Sequence, residues 1–265
     1  IVLGGKQSKY MKKAKMFFSK MHPNVPIVIT NFQTAEMIKY ANNSFLATKI
    51  SFINQLSNIC QNIPGTNIDD IAKIIGLDPR IGKLFLNAGP GYGGSCLPKD
   101  ISALINFADK IGVNPILLNA VKKTNHEQVN NIVSLMKKIL GNITGKRITV
   151  LGTAFKPNTD DIRDSKSIEL IKKLLKNKAK ITIHDPKAIE NTKKIFGEKI
   201  LYTKSISDAL NKSQCVIIMT HWKQYDTLNN YSIKHMNKKI IIDCRRVLVK
   251  KELDAKYYAI GIGKN

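Results

Sequence analysis

Arg147-Ile-Thr-Val-Leu-Gly-Thr-Ala-Phe-Lys156 is the stretch that decides the fold. A short run dominated by β-branched and apolar side chains stops at a glycine, which reads as a buried strand opening into a loop. The unit recurs toward the C-terminus. Lys180–His184 and residues 215–220, 239–243 and 257–261 are runs of the same kind, and helical patterns such as 167–176 lie between several of them. Strands alternating with helices predict an α/β fold with a parallel, doubly wound, Rossmann-like sheet over residues 145–265. Ligands of such sheets bind beyond the carboxyl ends of the strands. Those ends are Gly152-Thr-Ala-Phe-Lys156, Asp185-Pro186, Thr220-His-Trp222 and Asp243-Cys-Arg-Arg246. No complete GxGxxG occurs in this segment, so it carries no dinucleotide fingerprint.

Residues 31–144 read as helical. Over 34–61, apolar residues at 37, 41, 45, 46, 50, 53, 56 and 59 form one stripe, which predicts a long scaffold or dimerisation helix. Helices are also expected over 67–75 and 116–140. Residues 1–30 read as strand, helix, strand, with helical spacing from Ser8 to Met21 and no acidic residue before Glu36. A piece so small cannot bury its own apolar faces, and it is expected to be the tail of a larger dinucleotide-binding domain.

With 43% hydrophobic residues the chain can build a core, and no apolar run is long enough for a membrane span. A secretory signal pattern is absent, and a cytoplasmic protein is expected. The net charge of +24 is spread along the chain without a nucleic-acid-binding motif, so a solvated basic surface is expected rather than a nucleic-acid partner. The four cysteines and five histidines show no metal-ligand spacing. Cys60 and Cys215 read as core thiols; Cys244 and Trp222 sit at strand ends, where either packing or pocket lining fits.

Chemistry concentrates in Gly89-Pro-Gly-Tyr-Gly-Gly-Ser-Cys-Leu-Pro-Lys-Asp100. Its glycines allow close approach of backbone to a ligand, and Pro98 suits the first turn of a helix. Cys96 then lies just before a helix N-terminus, a position that favours a thiolate nucleophile, with Asp100 one turn on. Lys39 and Asn43 share a helix face, where an ammonium and an amide can stabilise an oxyanion.

The segment from Gly91 to Asp100 resembles the active-site signature of the UDP-glucose/GDP-mannose dehydrogenase family. Three more stretches agree in order and separation: Ala35-Glu-Met-Ile-Lys-Tyr-Ala-Asn-Asn43, Asp78-Pro-Arg-Ile-Gly82 and Gly152-Thr-Ala-Phe-Lys-Pro-Asn-Thr-Asp-Asp-Ile-Arg163. The resemblance implies a two-step, NAD-dependent oxidation of UDP-glucose to UDP-glucuronate through a thiohemiacetal and a thioester on Cys96. Lys39, Asn43 and Asp100 would handle water and charge. Substrate contacts would come from Arg80, Phe85, Leu86, Asn87, Gly91, Tyr92, Gly93, Phe155, Lys156 and Arg245, with Arg246 close enough to compete for the last role. Arg80 would reach a neighbouring subunit of a homodimer, and Arg163 would touch the cofactor. The organisation implied is 1–30 as the tail of the cofactor domain, 31–144 as the catalytic and dimerisation domain, and 145–265 as the nucleotide-sugar domain. With most of the cofactor domain lacking, the chain alone is expected to be inactive. GDP-mannose or a UDP-N-acetylhexosamine as substrate, or a sugar-nucleotide-binding fragment without activity, remain alternatives.

Overall fold

The computed structural model describes residues 1–6, 8–249 and 251–263. The chain starts with a two-stranded parallel sheet of β1 (Val2–Gly4) and β2 (Val28–Thr30), bridged by α1 (Lys9–Met21). Ser8 caps α1 by accepting the Met11 N–H. No residue of α1 is buried, and Tyr10, Met16, Phe17 and Met21 stand exposed.

Helix α2 (Phe32–Cys60) begins two residues before the apolar periodicity does, because Asn31 caps it by accepting the Thr34 N–H at 2.8 Å. The apolar stripe is only partly its buried face: Ile53 is buried and Ile50 and Leu56 pack against the core. Met37, Phe45 and Ile59 are 46%, 64% and 51% exposed, whereas Ser44, Ala47, Ser51, Ile53, Asn54, Ser57 and Cys60 face inward. Most of these inward residues are small, and interaxial distance follows the side chains at the contact. The Ser51 hydroxyl even donates to the Val121 carbonyl of a neighbouring helix. Around α2 pack α3 (Ile68–Ile75), α4 (Leu97–Lys110) and α5 (Ile116–Leu140).

The large sheet is parallel throughout. Its strands are β3 (Arg147–Leu151), β4 (Lys180–His184), β5 (Leu201–Tyr202), β6 (Cys215–Ile218), β7 (Ile240–Asp243) and β8 (Lys256–Ala259), in spatial order β5-β4-β3-β6-β7-β8. Between them run α6 (Lys166–Lys176), α7 (Ile189–Phe196) and α8 (Ile206–Leu210). The mixed α/β, doubly wound expectation therefore holds, and the strand order reverses between β3 and β6.

Helix α5 roots both layers. Its Val121 packs with Ala47, Tyr92, Ile101 and Ile105, while Val129, Ile132, Val133 and Met136 join the sheet core around Ile148, Val150 and Ile217. Truncating a fully buried side chain there, such as Met136 to Ala, costs about 2–5 kcal/mol. The helix thus ties the α2 layer to the core of the sheet.

Candidate functional site

Two buried aspartates shape the strand ends. Asp185, just past β4, accepts from the backbone N–H groups of Thr153, Ala154, Lys187 and Ala188 and from Trp222 Nε1. Trp222 is thereby a packed residue, 6% exposed, and its open reading closes on packing. Asp243, the last residue of β7, accepts from the Arg245 and Leu248 N–H groups and from the Tyr257 hydroxyl. Burial pushes its carboxyl above the usual range, against the pull of those donors. The first carboxylate sets the loop bearing Phe155 and Lys156; the second sets the turn bearing Arg245 and Arg246. Cys244 is fully buried and faces the core.

The two arginines separate. Arg246 takes a positive φ of 58° and turns inward, where Nε bonds both Asp69 oxygens at 2.8 Å and Nη2 donates to the Ala88 carbonyl. Arg245 donates through Nε to the Met219 carbonyl at 2.8 Å. Its guanidinium makes no pair with the Asp243 carboxylate, and desolvation lowers it to about 10.

Against these strand ends lies the glycine loop. At Gly94 φ is +83°, and a Cβ would stand 2.7 Å from the Phe155 ring; at Gly91 φ is +107°, and a Cβ would meet Asn125 Oδ1 at 2.6 Å. Neither position admits a side chain. The loop is anchored by side chains from two helices. Asn54 Oδ1 accepts the Gly89 N–H, and Asn125 both accepts the Tyr92 N–H and donates to the Tyr92 carbonyl. A third anchor is the Arg163 carbonyl, which accepts the Gly94 N–H.

Between loop and sheet edge opens a cleft of about 820 Å³. Phe85, Leu86, Asn87, Gly91, Tyr92, Gly93, Phe155, Lys156 and Arg245 all line it. The Lys156 ammonium sits 5.4 Å from the Phe155 ring centre. His221, from a quoted strand end, also lines it, as do Lys73 and Lys83, which sequence reading passed over because isolated basic residues carry no spacing signal. Two expected residues lie elsewhere. Arg80 points to solvent, paired with Asp78, whose carboxyl it holds below the ordinary range. Arg163 is likewise exposed and forked onto Asp161, which is the main cause holding its guanidinium above the ordinary value, with Cys96 a lesser one.

Cys96 is the N-terminal flanking residue of α4, exposed, with no capping bond from its side chain. It stands between Gly93 and Leu97, both of which line the cleft. One turn along α4, Asp100 is 1% exposed. Asn43 Nδ2 donates to its Oδ2 at 2.6 Å, Lys39 Nζ lies 3.7 Å from the same oxygen, and Lys99 Nζ lies 3.6 Å from the other. An exposed thiol at a helix N-terminus, with an amide, two ammonium groups and a buried carboxylate close by, can form and stabilise a covalent adduct and handle its protons.

Residues 33–127 match the central domain of the UDP-glucose/GDP-mannose dehydrogenase family, and residues 149–250 match that family's UDP binding domain. The chain belongs to the UDP-glucose/GDP-mannose dehydrogenase family. It is 41% identical to a UDP-glucose 6-dehydrogenase of Rickettsia felis, over 93% of this chain and 56% of that protein. To the UDP-glucose 6-dehydrogenase TuaD of Bacillus subtilis it is 39% identical, over 94% of this chain and 55% of that one. Among solved structures, a UDP-glucose dehydrogenase from Pyrobaculum islandicum superposes with a TM-score of 0.88 at 34% identity, covering 99% of this chain and 58% of the other. The chain thus spans a little over half the length of these relatives. Among the described residues no helix is long and apolar enough to cross a membrane, and no cluster of His, Cys, Asp and Glu could hold a metal ion.

Proposed function

We propose that the chain is the catalytic and nucleotide-sugar-binding part of an NAD-dependent UDP-glucose 6-dehydrogenase. The observations that carry this reading are the exposed Cys96 one turn of α4 before Asp100, the contacts of Asn43 and Lys39 with that carboxylate, and a cleft lined by nine of the residues expected to touch substrate. In this reading Lys156 and Arg245 bind the diphosphate and nucleotide, and Cys96 Sγ bonds to the C6 aldehyde carbon to give a thiohemiacetal. Oxidation of that adduct leaves a thioester, which water hydrolyses to the acid. Lys39 and Asn43 stabilise the oxyanions, and Asp100 orients the water. Covalent capture keeps the aldehyde from escaping between the two oxidations.

NAD fits the reaction but not these residues alone. Gly89, Gly91 and Gly94 have the GxGxxG spacing, yet no strand precedes them, and Arg163 is engaged by Asp161. In this reading a dinucleotide-binding domain of the full enzyme holds most of the NAD, and Arg163, exposed beside Asp161, reaches it from this chain. Homodimerisation is part of the same proposal, supported by the exposed apolar face of α2 and by Arg80, which is exposed and does not line its own cleft.

Isothermal titration of the chain with UDP-glucose, UDP-glucuronate and GDP-mannose tests the reading. The two uridine nucleotides should bind and GDP-mannose should bind at least tenfold more weakly. Absence of heat with both uridine nucleotides overturns it.

A further inference from the structure

We infer that Arg246 is a positioning residue of the cleft: paired with Asp69, it clamps the Ala88–Gly89 peptide and so shapes the seat of the bound nucleotide sugar without touching it; this rests on the nucleotide-sugar reading above. Each of its three guanidinium nitrogens already has a protein acceptor. Nε donates to both Asp69 oxygens at 2.8 Å, Nη2 to the Ala88 carbonyl at 2.9 Å and Nη1 to the Ile260 carbonyl at 3.4 Å. Those acceptors belong to three separate parts of the chain: the first turn of α3, the segment entering the glycine loop, and the residue after β8. Arg246 is 8% exposed and holds φ at 58°. A left-handed backbone is unfavourable for a residue with a Cβ and persists where its surroundings enforce it. Here it turns two consecutive arginines apart.

The clamp acts on a single peptide plane. Arg246 Nη2 holds the carbonyl of that plane, at Ala88, and Asn54 Oδ1 holds its N–H, at Gly89. A peptide is rigid and planar, so fixing both of its polar ends fixes the backbone on either side. Ala88 and Gly89 line the cleft, and Arg245 Nη1 lies 2.9 Å from where a Cβ on Gly89 would stand. A tilt of this peptide therefore changes both the wall of the cleft and the packing of Arg245 against it. Asp69 also lines the cleft, and its side chain is 46% exposed. A carboxylate there repels a diphosphate unless a cation is paired with it, and Arg246 is that cation. Lysine cannot take over the role, because a single nitrogen has no planar fork to span Asp69, Ala88 and Ile260.

The test is isothermal titration with UDP-glucose of wild type, Asp69→Ala, Arg246→Lys and the double variant. Iodoacetamide protection of the buried Cys60, Cys215 and Cys244 checks that each is folded at the assay temperature. Asp69→Ala should bind at least about fivefold more weakly with the three buried thiols still protected. Were Arg246 to touch the ligand instead, removing Asp69 would free its guanidinium and delete a negative charge, and binding would hold or tighten; that result overturns the inference. Arg246→Lys should lose a similar factor, and the double variant no more than the weaker single variant, because both changes break one clamp. A lysine variant within twofold of wild type, or losses that multiply in the double variant, also overturn it. If Arg246→Lys exposes the buried thiols, Asp69→Asn takes its place: the amide returns one acceptor oxygen to Nε and should bind more tightly than Asp69→Ala, and equal affinities overturn the inference. UDP-glucose binding that Asp69→Ala preserves removes only this inference, whereas no binding to wild type removes the nucleotide-sugar reading with it.

Discussion

Of the four thiols, Cys60, Cys215 and Cys244 are buried and Cys96 is exposed. Burial also pushes the Cys215 and Cys244 thiols up, away from the thiolate form that reacts. Brief iodoacetamide treatment of the native chain should therefore place one label, on Cys96, with UDP-glucose slowing it; equal labelling of a second cysteine by peptide mass spectrometry would contradict the site. Lys156 gives a second measurement. Loss of a charged hydrogen bond to a phosphoryl oxygen weakens binding roughly ten- to a hundredfold, so Lys156→Ala should bind UDP-glucose that much less tightly. Lys223, in the short 3-10 helix after Trp222, does not line the cleft and should matter little when changed to Ala. Equal affinity of wild type and Lys156→Ala would mean the pocket is misassigned. Single residues also mark the limit of what sequence reveals here. The motif residues around Cys96 and the cleft could be named in advance because their spacing is dense. The roles of Asn54, Asn125 and Asp185 could not, since a lone amide or carboxylate acquires its role only from the backbone groups that folding brings to it. The competition between Arg245 and Arg246 needed the positive φ at Arg246 and its Asp69 partner.

Elements were legible where local signal and tertiary environment agree. The β3 and β4 strands and the α5 helix have the bounds the pattern predicts, since each is a continuous apolar or periodic run with a turn residue after it. The two-residue β5 strand was missed, because Leu201–Tyr202 is too short for a pattern and pairs only at the sheet edge. The inner face of α2 was not legible for another reason: a face mostly of Ser, Ala and Asn carries no hydrophobic periodicity, yet its smallness is what lets neighbours come close. The β4 strand also carries a pH response. His184, its last residue, is 2% exposed, and its Nδ1 lies 3.0 Å from the Tyr225 hydroxyl. Burial lowers its pKa from 6.5, partly offset by a backbone hydrogen bond and by Asp185. The unfolded chain then takes up a proton below about pH 6.5 that the folded chain refuses. Its contribution to stability is full above pH 6.5 and is lost as the pH falls toward the folded pKa. Urea midpoints should drop between pH 7 and pH 5 by more in wild type than in His184→Gln; equal drops would show that His184 does not titrate differently in the two states.

At the scale of the molecule, one expectation concerns what this chain does not do alone. With no strand-to-helix GxGxxG turn among the described residues, the purified chain should produce no NADH from UDP-glucose and NAD, and any steady absorbance rise at 340 nm would refute that. The other concerns assembly. Ile38, Phe45, Phe52 and Ile59 recur every seven residues along α2 and are 39%, 64%, 51% and 51% exposed. A seven-residue repeat keeps its side chains near one line of a helix, drifting only about 20° per repeat. The result is an apolar seam that runs from near the start of α2 to its end while the opposite face is buried in α4 and α5. A soluble chain rarely leaves so long a seam in water, and a two-fold copy of the same seam is a self-complementary cover for it. Arg80 is consistent with that arrangement: its side chain is 87% exposed and does not line its own cleft. Phe45 and Phe52 sit mid-seam, so a lysine at either would put a charge into the apolar centre of the contact. Light scattering should give a dimer for the wild-type chain at micromolar concentration. Phe52→Lys should shift it to monomer with its melting transition still cooperative, whereas Lys223, exposed in the 3-10 helix after Trp222, should leave the dimer intact when changed to Ala. A wild-type chain that is monomeric, or a dimer that Phe52→Lys leaves undisturbed, would place the contact elsewhere.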